Sequence, residues 1–379
     1  MSEFMRIIGL MSGTSHDGVD AAIVEIKDAG DSGLDVDVSV ISHLHVPYDK
    51  TLRDSIGQAF TGSAEQICSL NFVLGEVFAQ AVLMLIQEAG LRHQDIEAIA
   101  SHGQTIYHIP PTIHRRVGST LQIGESAVIA DRTGILTISD FRTRDMAAGG
   151  HGAPLVPLAD YMLFKKDRVV RAVLNVGGIS NVTIVKENLN DTLAFDIGPG
   201  NSLIDEAVAI YSNGAVFYDN NGNLARAGSP HMPLLEELLC HPFFRQPPPK
   251  STGREMFGTE FVKDILRYYG SLAQTDMLST LTHLTAQVVF DAIRPYKPQE
   301  VIVSGGGSRN AFLMDLLNER FKEKGCRVSS IASYGFLPEA KEAICFAILG
   351  YLTLKHRPAN LPSATGASKS VLLGKITLP

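Results

Sequence analysis

The sequence predicts an α/β protein of two domains, each lobe a mixed sheet with flanking helices. Three observations predict it. Strand-like and helix-like runs intermix through 379 residues, enough chain for two domains. A strand, a polar glycine turn and a return strand occur near residues 7–25 and again near 172–185. Two later strands, in "TLAFDIGPGN" and "EVIVSGGGSRN", each end in a glycine turn that opens a helix.

Residues 5–11 and 19–26 read as strands joined by the polar "SGTSHDG". "LDVDVSVISHLHV" alternates apolar and polar, which predicts a third strand. Residues 49–90 are expected to be helical, with Leu70, Val73, Leu74, Val77, Ala81 and Leu85 at helical spacing. "IEAIASHG" and "LQIG" read as short buried strands, and "GGHGAPLVPLAD" at 149–160 as a hinge. "RAVLNV", "GGIS" and "NVTIV" repeat the strand–turn–strand unit. "RQPPPKSTGRE" is expected to be an exposed loop, since three prolines deny it helix and sheet-centre positions. Late in the chain, Ala340, Ala343, Ile344, Ala347, Ile348, Tyr351 and Leu352 form one helical stripe, with Glu342 roughly opposite. The lobes are placed at 1–140 with about 360–379, and at 141–359.

Composition narrows the function classes. A net charge of −7 with no long basic run argues against a nucleic-acid partner. Cys68, Cys240, Cys326 and Cys345 are far apart and form no CxxC pair, which fits a reducing compartment. The N-terminus does not read as a signal peptide, and no apolar run is expected to span a bilayer. A cytoplasmic, soluble protein is expected.

The glycine turns carry the chemistry. Glycine lets backbone N–H groups converge on an anion, and a helix starting there adds partial positive charge. Ser12, Thr14 and Ser15 add hydroxyl donors. Asp17 and Asp20 would repel bare phosphate but suit a Mg²⁺ ion held through water. The chain lacks GxxxxGK[ST] and lacks GxGxxG between strand and helix, so neither a P-loop nor a dinucleotide fold is expected. A polar hairpin is the ordinary reading of any one such turn; four together favour phosphate.

Eight segments, in order over nearly the whole chain, carry a resemblance: "GLMSGTSHDGVD", "SHGQTIYH", "ISDFRTRDMAAGGHGAPLVP", "LNVGGISN", "FDIGPGN", "KSTGRE", "VSGGGSRN" and "EAICFAILGYL". Together they resemble the 1,6-anhydro-N-acetylmuramic acid kinase family of the actin, sugar kinase and Hsp70 superfamily. The resemblance implies an actin-like fold with a central interdomain cleft, ATP and Mg²⁺ as cofactors, and a homodimer. It implies ring opening at C1 by water and phosphoryl transfer to O6, in cell-wall recycling. Asp196 matches the catalytic base and Glu342 a second active-site carboxylate. ATP and phosphate contacts are expected from Gly13, Thr14, Ser15, His16, Asp17, Gly18, Val19, Asp20, Gly177, Gly178, Gly305, Gly306 and Gly307. The sugar carries a lactyl carboxylate, for which Arg142 is the expected partner, with Asp140 beside it. Gln104 is expected to bond the sugar ahead of His102, a more ordinary structural residue. His16 stands where a small or apolar residue is expected, and His151 where glutamine is. An ATPase activator of the same superfamily, with no sugar acceptor, is the competing reading.

Overall fold

The computed structural model describes residues 4–13, 16–30, 33–111 and 117–379. The chain divides into two compact units, Met1–Leu163 with Ala340–Pro379, and Phe164–Glu339.

In the first unit, β1 (Met5–Ser12), β2 (Gly18–Asp28) and β3 (Val36–Pro47) form an antiparallel meander. β4 (Ala98–Ile109) pairs parallel with β1, and β6 (Thr137–Ser139) parallel with β4. β5 (Ser119–Ile123) pairs antiparallel with β4, and β12 (Lys375–Thr377) closes the edge on β6. The expected helical region 49–90 is two helices, α1 (Lys50–Ala59) and α2 (Ala64–Glu88). Asp49 caps the first, and a Ser63–Gln66 capping box restarts the chain as the second. α3 (Ser126–Thr133), α4 (Phe141–Ala147) and α5 (Val156–Phe164) follow, with α12 (Lys341–Leu354) and α13 (Pro362–Thr365) from the far end of the chain.

α2 packs with β2, β3 and β5, while α12 packs with β1, β2 and β4. β1 therefore has helix cover on both faces, and Ile7, Ile8 and Leu10 are all buried. That is the physical reason its sequence is apolar without alternation. β3 lies at the sheet edge and alternates as expected. β5 is less buried than expected, with alternate residues exposed. The expectation about apolar length needs correction, because α2 is long and apolar enough to cross a membrane by composition. Its Leu70, Leu74, Phe78, Val82 and Leu85 are instead spent on the core around Ile8, Leu10 and Ile23.

The second unit repeats the plan. β7 (Arg171–Val176), β8 (Ile179–Val185) and β9 (Leu193–Pro199) form an antiparallel meander. β10 (Glu300–Ser304) and β11 (Arg327–Ser330) extend it in parallel from β7. The order β3-β2-β1-β4-β6 thus has its counterpart in β9-β8-β7-β10-β11. The α/β class, with two mixed sheets and flanking helices, is as expected. The helices here are α6 (Ser202–Tyr211), α7 (Asn223–Ala227), α8 (Met232–Leu239), α9 (Thr259–Tyr269), α10 (Gln274–Ile293) and α11 (Ala311–Lys322). The stretch Leu278, Leu281, Leu284 and Val288 of α10 is core.

The division falls elsewhere than the expected 140/141 and 359/360. Residues 141–163 and 340–359 belong with the first unit. The packing of α12 on β1 accounts for the second of these. The expected hinge at 149–160 is a loop that runs into α5 at Val156, inside that unit.

Candidate functional site

The first glycine turn, between β1 and β2, is clamped at its base. Gln104 is wholly buried, with Oε1 2.6 Å from Ser12 Oγ and Nε2 donating to the Gly13 carbonyl at 3.2 Å. Tyr48 OH lies 2.7 Å from the same Ser12 Oγ, and Tyr48 N–H donates to the Asp17 carbonyl. Gln104 is thus spent on holding the loop. His16 has a positive φ of 41° and sits edge-on to Phe60. Asp17 is exposed, while Val19 turns its side chain into the core. Thr14 and Ser15 lie outside the described residues. Gly18 is required by crowding, since a Cβ there would lie 2.7 Å from the His45 ring. Asp20 Oδ1 is shared by His43 Nε2 at 3.2 Å and His45 Nδ1 at 3.1 Å.

The first unit also gathers Glu342, Arg142 and His102. Glu342 opens α12, whose backbone lies so close to β1 that a Cβ on Gly9 would stand 1.8 Å from the Ala343 carbonyl oxygen. Burial raises the Glu342 carboxyl above its ordinary range and Asp20 adds to this, while Lys341 and Arg142 oppose it. Lys341 is itself buried against Asp160 at 2.9 Å. Arg142 donates from Nη1 to the Gly152 carbonyl at 2.8 Å, and from Nε to His102 Nε2 at 3.1 Å. His102 Nδ1 lies 2.8 Å from the Gly103 carbonyl, so the proton sits on Nδ1 and Nε2 is the acceptor. Burial pushes the His102 pKa down to about 3, and Arg142 beside it acts in the same direction. Burial also lowers Arg142, to about 10, which leaves it charged at neutral pH.

Asp140, two residues before Arg142, pairs with Lys375 at 2.8 Å. Asp145, which nothing in the sequence singles out, organises the following loop. It accepts from Gly152 N–H at 2.8 Å, Asn360 Nδ2 at 2.7 Å and Thr365 Oγ1 at 2.7 Å. His151 is exposed on that loop.

In the second unit three glycine turns converge. The carbonyl of Gly177 accepts from Asn201 N–H, and that of Gly178 from Gly200 and Ser202 N–H, at 2.8–3.0 Å. Gly200 is required, because its Cβ would lie 2.3 Å from the Gly177 oxygen. Gly305 has φ 77° and backs onto Asn175 and Val176, and a Cβ on Gly307 would strike Val176 at 2.3 Å. Gly177 and Gly306 are open by contrast, with no atom nearer than 3.7 and 3.8 Å to where a Cβ would be. Close approach by a ligand is possible there. Asn310 caps α11 by accepting from Leu313 N–H at 3.0 Å.

Asp196, on β9 beside these turns, does not cap α6; Asn201 holds that position. Its Oδ2 accepts from Ser251 Oγ at 2.8 Å and Thr252 N–H at 3.0 Å. Burial raises its carboxyl above the ordinary range, against the effect of these two bonds. Sequence reasoning does not find Ser251 and Thr252 as functional residues. The "KSTGRE" segment is visible as a motif, but only the fold shows which carboxylate it meets.

Such a site can do acid–base chemistry beside a phosphate cradle. Among the described residues no group of three His, Cys, Asp or Glu could hold a metal. Mg²⁺ asks less, since phosphates and water supply most of its ligands. The hard oxygens of Asp17 and Asp20 suit that outer role, although Asp20 already serves two histidines.

A family model described as "Anhydro-N-acetylmuramic acid kinase" matches residues 5–379. A relative of that name from Caldanaerobacter subterraneus subsp. tengcongensis is 44% identical, covering 98% of this chain and 96% of its own. One from Bacillus thuringiensis subsp. konkukian is 43% identical, covering 99% of this chain and 100% of its own. One from Bacillus anthracis has the same figures.

Proposed function

This chain belongs to the anhydro-N-acetylmuramic acid kinase family, and from that premise we propose the reaction its residues perform. The protein is an ATP-dependent kinase acting on 1,6-anhydro-N-acetylmuramic acid. Water attacks C1, the C1–O6 bond breaks, and O6 takes the γ-phosphoryl of ATP. The products are N-acetylmuramic acid 6-phosphate and ADP, with one proton left over.

Asp196 takes that proton. Its raised carboxyl is closer to a useful base than an exposed aspartate would be. Ser251 and Thr252 hold one of its oxygens, which sets the direction of the other. Glu342 orients the water or the sugar. Arg142, kept charged and aimed by neutral His102, meets the lactyl carboxylate, with Asp140 nearby in sequence. Gln104 acts through the loop it clamps. The turns at Gly13–Asp20, Gly177–Gly178 and Gly305–Gly307 hold the nucleotide. Mg²⁺ bound with ATP would neutralise phosphate charge, and Asp17 and Asp20 would hold it through water. We place the protein in the cytoplasm as a homodimer working in peptidoglycan turnover, a reading supported by its family and its free cysteines.

The observation that carries this reading is the family match along nearly the whole chain. Incubation with ATP, Mg²⁺ and the anhydro sugar in ¹⁸O water tests it. The label is expected at C1, with ADP formed one for one. ADP release indifferent to the sugar would support an ATPase activator instead. Asp196→Asn is expected to lower turnover at least about 100-fold, with ATP affinity nearly unchanged. Turnover close to wild type would remove Asp196 from the base role.

A further inference from the structure

Arg254, a cation near the second glycine turn, closes the strap 250–254 that also carries Ser251 and Thr252. The strap is tied down on both sides. Asp196 N–H donates to the Lys250 carbonyl at 3.1 Å, and Lys250 Nζ donates to the Phe243 carbonyl at 3.1 Å. On the other side, Phe257 is fully buried and stacked on Phe244. Arg254 is carried between these anchors.

Its guanidinium lies over the Gly177–Gly178 turn. Nε and Nη2 stand 3.1 and 3.2 Å from where a Cβ on Gly178 would be. A Cβ at 178 would move the guanidinium by a few tenths of an ångström, so the two groups are in direct contact. The charge is loosely held. Its ion pair with Glu206 is 4.0 Å long, and the Arg254 side chain is 60% exposed. Asp205, on the first turn of α6, also feels the Arg254 charge. A half-solvated arginine in a pair this long can exchange partners at little cost.

Resting on the kinase reading, we propose that Arg254 is the cation that meets the γ-phosphoryl group of ATP as it transfers. One strap then sets two things at once. Ser251 and Thr252 aim the base, and Arg254 supplies positive charge to the phosphoryl oxygens. Charge placed where it develops in transfer is the main lever open to a phosphotransferase. Glu206 and Asp205 hold the arginine in the absence of nucleotide and release it to the stronger anion.

Titrations of ADP and of a non-hydrolysable ATP analogue into Arg254→Ala test this, with turnover measured alongside. The analogue is expected to bind about tenfold more weakly and ADP within about twofold of wild type. Turnover is expected to fall at least about 100-fold. Added guanidinium ion should restore part of the lost rate, and Arg254→Lys should keep part of it. Ser251→Ala disturbs the same strap without touching the cation; it should slow turnover but leave the analogue-to-ADP ratio alone and gain nothing from guanidinium. An unchanged ratio in Arg254→Ala overturns the proposal, whatever happens to the rate. Should wild-type protein release no ADP in response to the sugar, the kinase reading fails, while the binding ratio still reports on Arg254.

Discussion

At the scale of single residues, His102 shows how burial sets a protonation state and the state sets a neighbour. It donates from Nδ1 to the Gly103 carbonyl, so Nε2 can only accept, and what it accepts is the Arg142 guanidinium. A charged imidazole could not do this. The sign of the pH effect follows. The folded pKa, about 3, lies below the ordinary value of 6.5, so the unfolded chain binds more protons between them. Stability from this site is full above the higher value and is lost as pH falls toward the lower. The melting temperature of wild type should therefore drop across that window, and that of His102→Gln should drop less. Parallel acid limbs for the two proteins would show that other groups carry the effect. His102 is legible in the sequence only as a histidine after a strand. Its link to Arg142, 40 positions away, is not, because the contact is made by β4 and α4 meeting in space.

At the scale of elements, α12 and β1 are the informative pair. The apolar stripe of α12 follows from its sequence, and Ala343, Ile344, Ala347 and Ile348 are all buried as that stripe requires. What the stripe does not say is how near the helix comes. Gly9 lets the Ala343 carbonyl approach β1 directly, and Gly350 does the same beside Ala100, where an added Cβ would stand 2.7 Å away. Gly9→Ala should cost about 1–3 kcal/mol or more by overpacking against backbone. It should also slow turnover by shifting Glu342, which leads the same helix. Urea melts and steady-state rates check both; wild-type stability would mean the helix can slide without consequence. The three turns of the second unit tell a similar story. Each glycine turn is readable, yet two of them meet through hydrogen bonds from residues 200–202 to the 177–178 carbonyls, and the third by packing on Asn175 and Val176.

At the scale of the whole molecule, the chain starts and finishes in the first unit, and the second is one continuous insertion. The second unit has its own core, from Leu174 and Val182 through Leu284 to Leu317. Expressed alone, residues 164–339 should fold and melt cooperatively. Residues 1–163 alone lack α12, which covers β1 and β2, and should not form a stable unit. Thermal melts followed by circular dichroism, with hydrogen exchange, distinguish these outcomes. A cooperative melt of 1–163, or none for 164–339, would mean that the cores lie elsewhere.

The sequence by itself determined the strand–turn–strand units and their duplication. Apolar periodicity and glycine turns are local properties, and a strand buried on both faces must be apolar wherever it packs. It also determined the family, through motifs spread along nearly the whole chain. Tertiary structure alone decided which polar groups share a proton or a charge. Asp196 with Ser251, Asp145 with Asn360 and Arg142 with His102 are 55, 215 and 40 positions apart. Such pairs are set by how sheets and helices close around them, and burial then shifts the titration of His102 and Asp196 in ways their sequence neighbours do not announce.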